Sequence, residues 1–402
     1  MRRGRPGGVD LTPTAEQRAF RAGCRAWLKE NLPWDYGTGL PPLLDDLAEE
    51  VEFGRRWQRS LAGAGYVGVT WPVEYGGRGA DPVFNFIVQE ELARARAPEL
   101  VGRIAVNLVG PCLLAHGTEA QKQRWLPGIL NAEQLICQLF SEPDAGSDLA
   151  SLRTRAEPTE GGWALHGRKV WTSYAQFAHW GLCLARTSPD APKRAGITVF
   201  MVDMGAPGVE VRPLRQMTGE SDFNEVVLDG VFVADEQVIG PVDGGWRVAT
   251  SVLAGERGTN PRQLVIHSQL LEELVRLAAE RGLADEPRIA QDLAQAFAEM
   301  RLFQLQNWRA LSKHAHGRRS GAETATAKLY WSEMSQRLHA TAMRVLGDAA
   351  PLWRGADGNP AGGRWQRSWL YYRAASIIAG TSEIQRNVIG ERTLGLPREP
   401  SR

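Results

Sequence analysis

"LFSEPDAGSD", Leu139 to Asp148, stands where the texture of the chain changes. Residues 10 to about 134 read as helical, whereas from about Gln138 to Gly240 the runs are short, β-branched and aromatic. Inside the stretch, Ala145 and Gly146 lie between hydroxyl and carboxylate groups, so backbone amides could approach a ligand closely. It lacks the lysine of a P-loop and the spacing of a dinucleotide fingerprint. Alone, it reads equally well as a polar interdomain loop.

Working outward, "TPTAEQRAFRAGCRAWLKENL" opens with a T-x-x-Q capping box at Thr14 and Gln17. Phe20, Cys24, Trp27 and Leu28 then share one face of an amphipathic helix. "VFNFIVQEELARA" and "TEAQKQRWLPGIL" continue the helical pattern. Downstream of the loop, "GGWALHGRKVWTS", "GITVFMVDM", "GVEVRPL" and "NEVVLDGVFV" are separated by Gly, Pro, Asp and Asn turns. They predict a compact antiparallel β domain of roughly a hundred residues. From about Gly244 long apolar-periodic stretches return and persist. The order is helices, strands, helices.

A chain of 402 residues exceeds the usual size of one hydrophobic core, which predicts two or three domains. A net charge of +1 argues against a broad electrostatic footprint for nucleic acid. No apolar run approaches ~20 residues, so no membrane-spanning segment is expected. "MRRGR" is followed by no apolar stretch of the kind a signal peptide carries. Cys24, Cys112, Cys137 and Cys183 are widely spaced, suggesting free thiols in a reducing cytoplasm rather than a metal site or disulfides.

Three further stretches carry chemistry. In "KVWTSYAQ", Lys169 to Gln176, a tryptophan followed two residues later by a hydroxyl would share one face of a strand. An aromatic plane beside a hydrogen-bonding group suits a flat heteroaromatic ring, although a core tryptophan reads the same way. "LAGERGTN", Leu253 to Asn260, interrupts apolar and small residues with Glu256 and Arg257. They are either a solvated charge pair or a carboxylate facing a cleft. In "IIAGTSEIQR", Ile377 to Arg386, Ser382 and Gln385 have capping-box spacing, so a helix is expected to start there after a glycine. Such a helix start suits an anionic or polar ligand.

In this order and at these separations the four segments resemble the acyl-CoA dehydrogenase family of flavoproteins, nearly to the end of the chain at "GERTLGLP". "SEPDAGSD" is similar to that family's T/S-E-P-x-A-G-S-D loop, "KVWTS" to its K-x-W-I-T strand, and "AGTSEIQRN" to its x-G-T-S-x-I-Q-R segment. The resemblance implies an α+β fold with an N-terminal helical domain (1–134), a middle antiparallel β domain (135–242) and a C-terminal helical domain (243–402). It also implies bound FAD. By it, Phe140, Ser141, Gly146 and Ser147 belong to the loop that meets the flavin and its pyrophosphate. Trp171 and Ser173 flank the isoalloxazine, and Thr381 and Glu383 meet the cofactor at the helix start. Ser147, Gly255, Arg257 and Gly380 would lie near the acyl-CoA. Further implications are an electron-transfer flavoprotein as acceptor, a homotetramer or a hetero-oligomer with a related subunit, and metabolism of fatty acids or steroid side chains.

In this family a general base removes the α-proton of an acyl thioester while the β-hydrogen leaves as hydride, and the carbonyl oxygen is held by hydrogen bonds. Many members place the catalytic glutamate directly before the Gly-Thr, a position occupied here by Ala379. Members similar to the isovaleryl-CoA and long-chain dehydrogenases carry it on the first helix of the C-terminal domain, where Glu256 stands. Ala379 could still offer its backbone N–H to the thioester carbonyl. Glu256 would need its pKa raised from about 4.3, which burial among apolar neighbours achieves. Two family features are missing: "RGLADEPRIAQDLA" replaces an Arg-x-x-Phe-Gly segment, and "LGDAAPLW" replaces a glycine-rich turn. Both bear on the intersubunit half of the FAD site and leave a hetero-oligomer open. The rival functions are an oxidase or monooxygenase of the same fold and a non-catalytic partner subunit.

Overall fold

The computed structural model describes residues 12–39, 44, 46–255, 261–315, 321 and 323–398. Among the described residues the α-helices before the sheet are α1 (Ala15–Asn31), α2 (Leu47–Gly63), α3 (Pro82–Arg94), α4 (Gly110–His116) and α5 (Glu119–Leu130). The strands are β1 (Ile136–Leu139), β2 (Arg155–Thr159), β3 (Gly162–Ser173), β4 (Trp180–Arg186), β5 (Ile197–Asp203), β6 (Val209–Leu214), β7 (Phe223–Ala234) and β8 (Val238–Ile239). After them come α6 (Gly245–Gly255), α7 (Pro261–Glu280), α8 (Pro287–Ala315), α9 (Glu323–Leu346), α10 (Arg364–Tyr371) and α11 (Ser382–Val388).

The Thr14–Gln17 capping box at the start of α1 is formed in both directions, and Cys24 and Leu28 are buried on its apolar face. The strands make one sheet in the order β6-β7-β3-β2-β4-β5-β8, with β1 added beside β4. The expected antiparallel domain is therefore mixed at one place. β1 runs parallel to β4, and β2 meets β4 in a single parallel pair. The physical reason is that β1 is reached from a helix and not through a hairpin, so no tight turn dictates an antiparallel partner.

The chain packs as two compact units that are not consecutive in sequence. One contains α1, α3 and α7 to α11; the other contains α2, α4, α5, the whole sheet and α6. The core of the first runs through Leu271, Leu274, Phe303, Met334, Leu338 and Trp365. That of the second runs through Leu139, Leu165, Phe200, Val226 and Val231. All four cysteines are free and buried. Among the described residues no helix is long and apolar enough to cross a membrane.

Candidate active site

In the sheet-bearing unit the acidic loop is fastened to β3 from within. Glu142 and Ala145 exchange two backbone hydrogen bonds of 3.1 Å, closing a turn with Pro143 and Asp144 at its centre. Proline presets the backbone angle that the first central position of such a turn requires. The Glu142 carboxylate folds inward, accepting from Lys169 Nζ at 2.8 Å and from the Arg153 and Thr154 N–H groups at 2.6 and 2.9 Å. Lys169 is fully buried and also donates to Phe140 O at 3.1 Å. Burial alone would raise the Glu142 pKa, but the Lys169 charge and these hydrogen bonds outweigh it and hold the carboxyl below the usual range. Removing either partner of such a pair leaves an uncompensated buried charge.

The strand that receives this anchor is irregular at the position that matters. β3 and β7 pair as Lys169↔Val226 and then Thr172↔Asn224, so Val170 and Trp171 together face only Glu225. This is a β-bulge. Trp171 takes φ +60°, a left-handed conformation that costs a side-chain-bearing residue ~1–2 kcal/mol. The bulge turns the Val170 N–H out of the ladder and onto Ser141 O at 2.9 Å, tying strand to loop. Trp171 is 62% exposed, and its ring meets that of Phe223 in a T-shaped contact. Strict alternation breaks between Lys169 and Thr172, while Trp171 and Ser173 still flank buried Thr172. Lys169 and Thr172 are both buried and Ser173 is half-buried, because the extra residue shifts the pleat by one. An exposed aromatic plane held in strained backbone is unusual in a soluble domain and points to a ligand. Gly146 and Ser147 lie exposed on the neighbouring loop, and a side chain at Gly146 would meet nothing within 4 Å. An open aromatic face with hydroxyls and a small-residue loop beside it fits a flavin.

In the helical unit, Ala379 (φ +52°) and Gly380 (φ +89°) form a left-handed turn before α11. Thr381 is the N-cap, its Oγ1 accepting from the Ile384 N–H at 3.2 Å. This corrects the expected capping box: the cap is Thr381 and not Ser382, and Ile384 at the third helical position has no polar side chain to close a box. Ser382 is buried as the first helical residue, and the Gln385 amide reaches back to Ala379 O and Gly380 O, each at 3.2 Å. Among the described residues the Ala379 N–H has no hydrogen-bond acceptor. Glu383 is exposed; hydrogen bonds from its own backbone N–H and from Thr381 hold its carboxyl below the usual range.

The structure thus brings Phe140, Ser141, Gly146, Ser147, Trp171 and Ser173 onto one loop and the strand beside it, and Ala379, Gly380, Thr381 and Glu383 onto one turn and helix start. Gly255 is the last residue of α6. Glu256 and Arg257 lie outside the described residues. Sequence reasoning assigned no role to Glu142 and Lys169, the anchor of the loop. Both stand inside the motifs, but Asp144 and Arg168 nearby offer the same charges, so only the fold selects Glu142 and Lys169 as the buried pair.

Domain profiles of the acyl-CoA dehydrogenase family match in order: the N-terminal domain over residues 14–133, the middle domain over 137–231 and the C-terminal domain over 243–394. The chain is 38% identical over 385 residues to acyl-CoA dehydrogenase IpdE1 of Mycobacterium tuberculosis, covering 94% of this chain and 98% of that one. It is 43% identical over 370 residues to acyl-CoA dehydrogenase FadE34 of the same organism, covering 90% of this chain and 49% of that one. Among solved structures, the Tcur3481–Tcur3483 steroid ACAD superposes with a TM-score of 0.83 at 29% identity, covering 97% of this chain and all of that one. The ChsE4–ChsE5 complex of Mycobacterium tuberculosis does so at 0.81 and 28%, with 97% of this chain and 100% of that one covered. With three successive domains matched and a relative 38% identical over nearly the whole length of both chains, the chain belongs to the acyl-CoA dehydrogenase family and is an oxidoreductase.

Proposed function

We propose that the protein catalyses FAD-dependent α,β-dehydrogenation of an acyl-CoA thioester, with Glu256 as the base that takes the α-proton. The observation that carries this reading is the Trp171 bulge, which spends backbone strain to present an aromatic face beside the Ser141–Ser147 loop. FAD, when bound, supplies the acceptor for the β-hydride. The remaining work belongs to the chain. The Ala379 N–H donates to the thioester carbonyl oxygen, where negative charge develops as the α-proton leaves. By the family resemblance Ser147, Gly255, Arg257 and Gly380 are the residues assigned to the acyl-CoA, Arg257 lying outside the described residues. Phe140, Ser141, Gly146 and Ser173 are assigned to the cofactor on the sheet-bearing unit, and by the family resemblance Thr381 and Glu383 carry the same assignment on the helical unit.

The test is spectral. The purified protein is expected to be yellow, and anaerobic addition of a competent thioester from a panel of fatty and steroid side-chain acyl-CoAs should bleach the flavin. Rapid reoxidation by O₂ in preference to an electron-transfer flavoprotein would select the oxidase reading. Absence of flavin would select the partner-subunit reading. Trp171→Ala should weaken FAD binding by about 10–100-fold, the loss of one stacking plane. Unchanged FAD affinity in that variant would remove Trp171 from the site.

The relatives that share this fold as two-chain complexes, and the surface of α8, support an oligomer. Phe297, Leu302 and Leu305 are 60%, 52% and 56% exposed. Helical spacing places them with Ala294 and Ala298 on one outward face. Light scattering is expected to give a mass well above the 44.3 kDa of one chain, either for the protein alone or with a related subunit. A monodisperse monomer in both preparations would refute the assembly.

A further inference from the structure

α9 carries Lys328, Ser332 and Gln336 at four-residue intervals, which puts them in one row on the helix. All three reach the short 3-10 segment Tyr372–Ser376 that leads toward the Ala379–Gly380 turn. Lys328 Nζ donates to Ala375 O at 2.9 Å. Ser332 Oγ lies 2.8 Å from that same oxygen and 2.8 Å from Lys328 O of its own helix. Gln336 Nε2 donates to Tyr372 O and to Ser376 Oγ, each at 3.1 Å.

This is a costly arrangement for mere packing. Lys328 is only 8% exposed and Ser332 is fully buried. An ammonium withdrawn from water needs a compensating charge, and the carbonyls at the end of a helical run carry a partial negative one. From the other side, buried Gln385 holds the carbonyls of Ala379 and Gly380. A left-handed alanine is disfavoured by ~1–2 kcal/mol and persists only where its surroundings over-determine it. Here they do. The chain is gripped by α9 before the turn and by α11 after it, while the Ala379 N–H between them keeps no protein acceptor among the described residues.

We propose that Lys328, Ser332 and Gln336 are positioning residues for the reaction: by fixing the Tyr372–Ser376 backbone they aim the Ala379 N–H at the substrate's carbonyl oxygen. This rests on the reading that Ala379 makes that hydrogen bond. The geometry matters because a carbonyl whose charge grows during proton removal gains only from a donor already aligned with it.

The experiment uses the flavin-loaded enzyme, a ¹³C=O-labelled 3-thia acyl-CoA, and a competent substrate. The analogue carries sulfur in place of the β-carbon and cannot be dehydrogenated. In the wild type, infrared difference spectra should show the bound carbonyl stretch lowered from its value in solution. Gln336→Glu replaces the donor with an isosteric acceptor, and Lys328→Met removes the cation. Each should move the stretch back toward the free value and slow flavin reduction by about 10²-fold, the cost of ångström-scale misplacement. Analogue affinity should stay within about threefold, because one misaligned contact among many in a large ligand is being changed. Lys328→Arg, which keeps the charge, should retain most of the shift. If the variants keep the wild-type shift and rate, the positioning role is refuted. If the wild type itself shows no shift, the Ala379 reading fails and the proposal fails with it. Should Lys328→Met not fold, Gln336→Glu, at a half-buried site, decides alone.

Discussion

Glu256→Gln is expected to leave a folded protein that binds FAD and acyl-CoA but reduces its flavin about 10²–10⁴-fold more slowly, the usual contribution of a positioned base. Glutamine is nearly isosteric with glutamate and cannot accept the α-proton, so packing and binding survive while the proton-transfer step does not. The expectation follows from the alanine at 379. A carboxylate is required somewhere, and position 379 offers only a backbone N–H. Stopped-flow reduction by a competent thioester measures the effect. The reciprocal variant sharpens it. Ala379→Glu in the Glu256→Gln background should recover part of the rate, because family members place the base at either site. Position 379 already adopts φ +52°, so a larger side chain there adds no backbone strain beyond what alanine bears. Wild-type reduction by Glu256→Gln would show that Glu256 is not the base.

The order of helices and strands was legible because it is written in periodicity, which local sterics and burial impose residue by residue. The Thr14–Gln17 box shows the same thing on a small scale, since both of its hydrogen bonds are closed within one turn of chain. What local pattern does not contain is the identity of the partner. The strand "KVWTS" was readable as a strand, but its bulge depends on how β3 pairs with β7, fifty residues away. The helix at "GTSEIQR" was readable too, yet its cap is Thr381 and not Ser382. Two hydroxyls stand side by side; the spacing to Gln385 favours the second, and the left-handed turn before them goes with the first. The Lys328–Ser332–Gln336 row was visible as polar residues at helical spacing. Its meaning depended on the Tyr372–Ser376 backbone lying against it. Grouping the helices into two non-consecutive units is likewise a matter of long-range packing.

Lowering the pH from 7.5 to 5 is expected to cost the helical unit about 4 kcal/mol of stability, through two histidines buried between α7, α9 and the segment after α10. His267 and His339 are both fully buried. His267 has Gln263 O at 2.8 Å from Nδ1 and Ser335 Oγ at 2.7 Å from Nε2. His339 has Ser335 O at 2.7 Å from Nδ1, stacks on Tyr372 at 4.5 Å, and leaves Nε2 without a partner. Burial pushes their pKa values down, to about 3 for His267 and about 4 for His339. The His339 ring adds to the lowering of His267, and Arg373 adds to that of His339. In the unfolded chain both would take a proton near pH 6.5. Below that pH the unfolded state therefore binds more protons than the folded one, and stability falls as the pH falls. The stabilisation is complete above about pH 6.5 and is lost toward the folded-state values. Over one and a half pH units, at about 1.4 kcal/mol per unit, each histidine accounts for about 2 kcal/mol. Glu91 and Glu383, carboxylates of this unit that are held low, act only below about pH 4.5, outside this window. His116 and His179 are lowered in the same direction by burial but belong to the other unit. Hydrogen exchange read on the amides of α7 and α9 separates the two contributions. His267→Gln keeps an acceptor for Ser335, and His339→Gln removes the second titrating ring. Each variant should be less stable than the wild type at pH 7.5 yet lose about 2 kcal/mol less on acidification. An unaltered pH dependence in the double variant would mean that these histidines do not govern the acid stability of the unit.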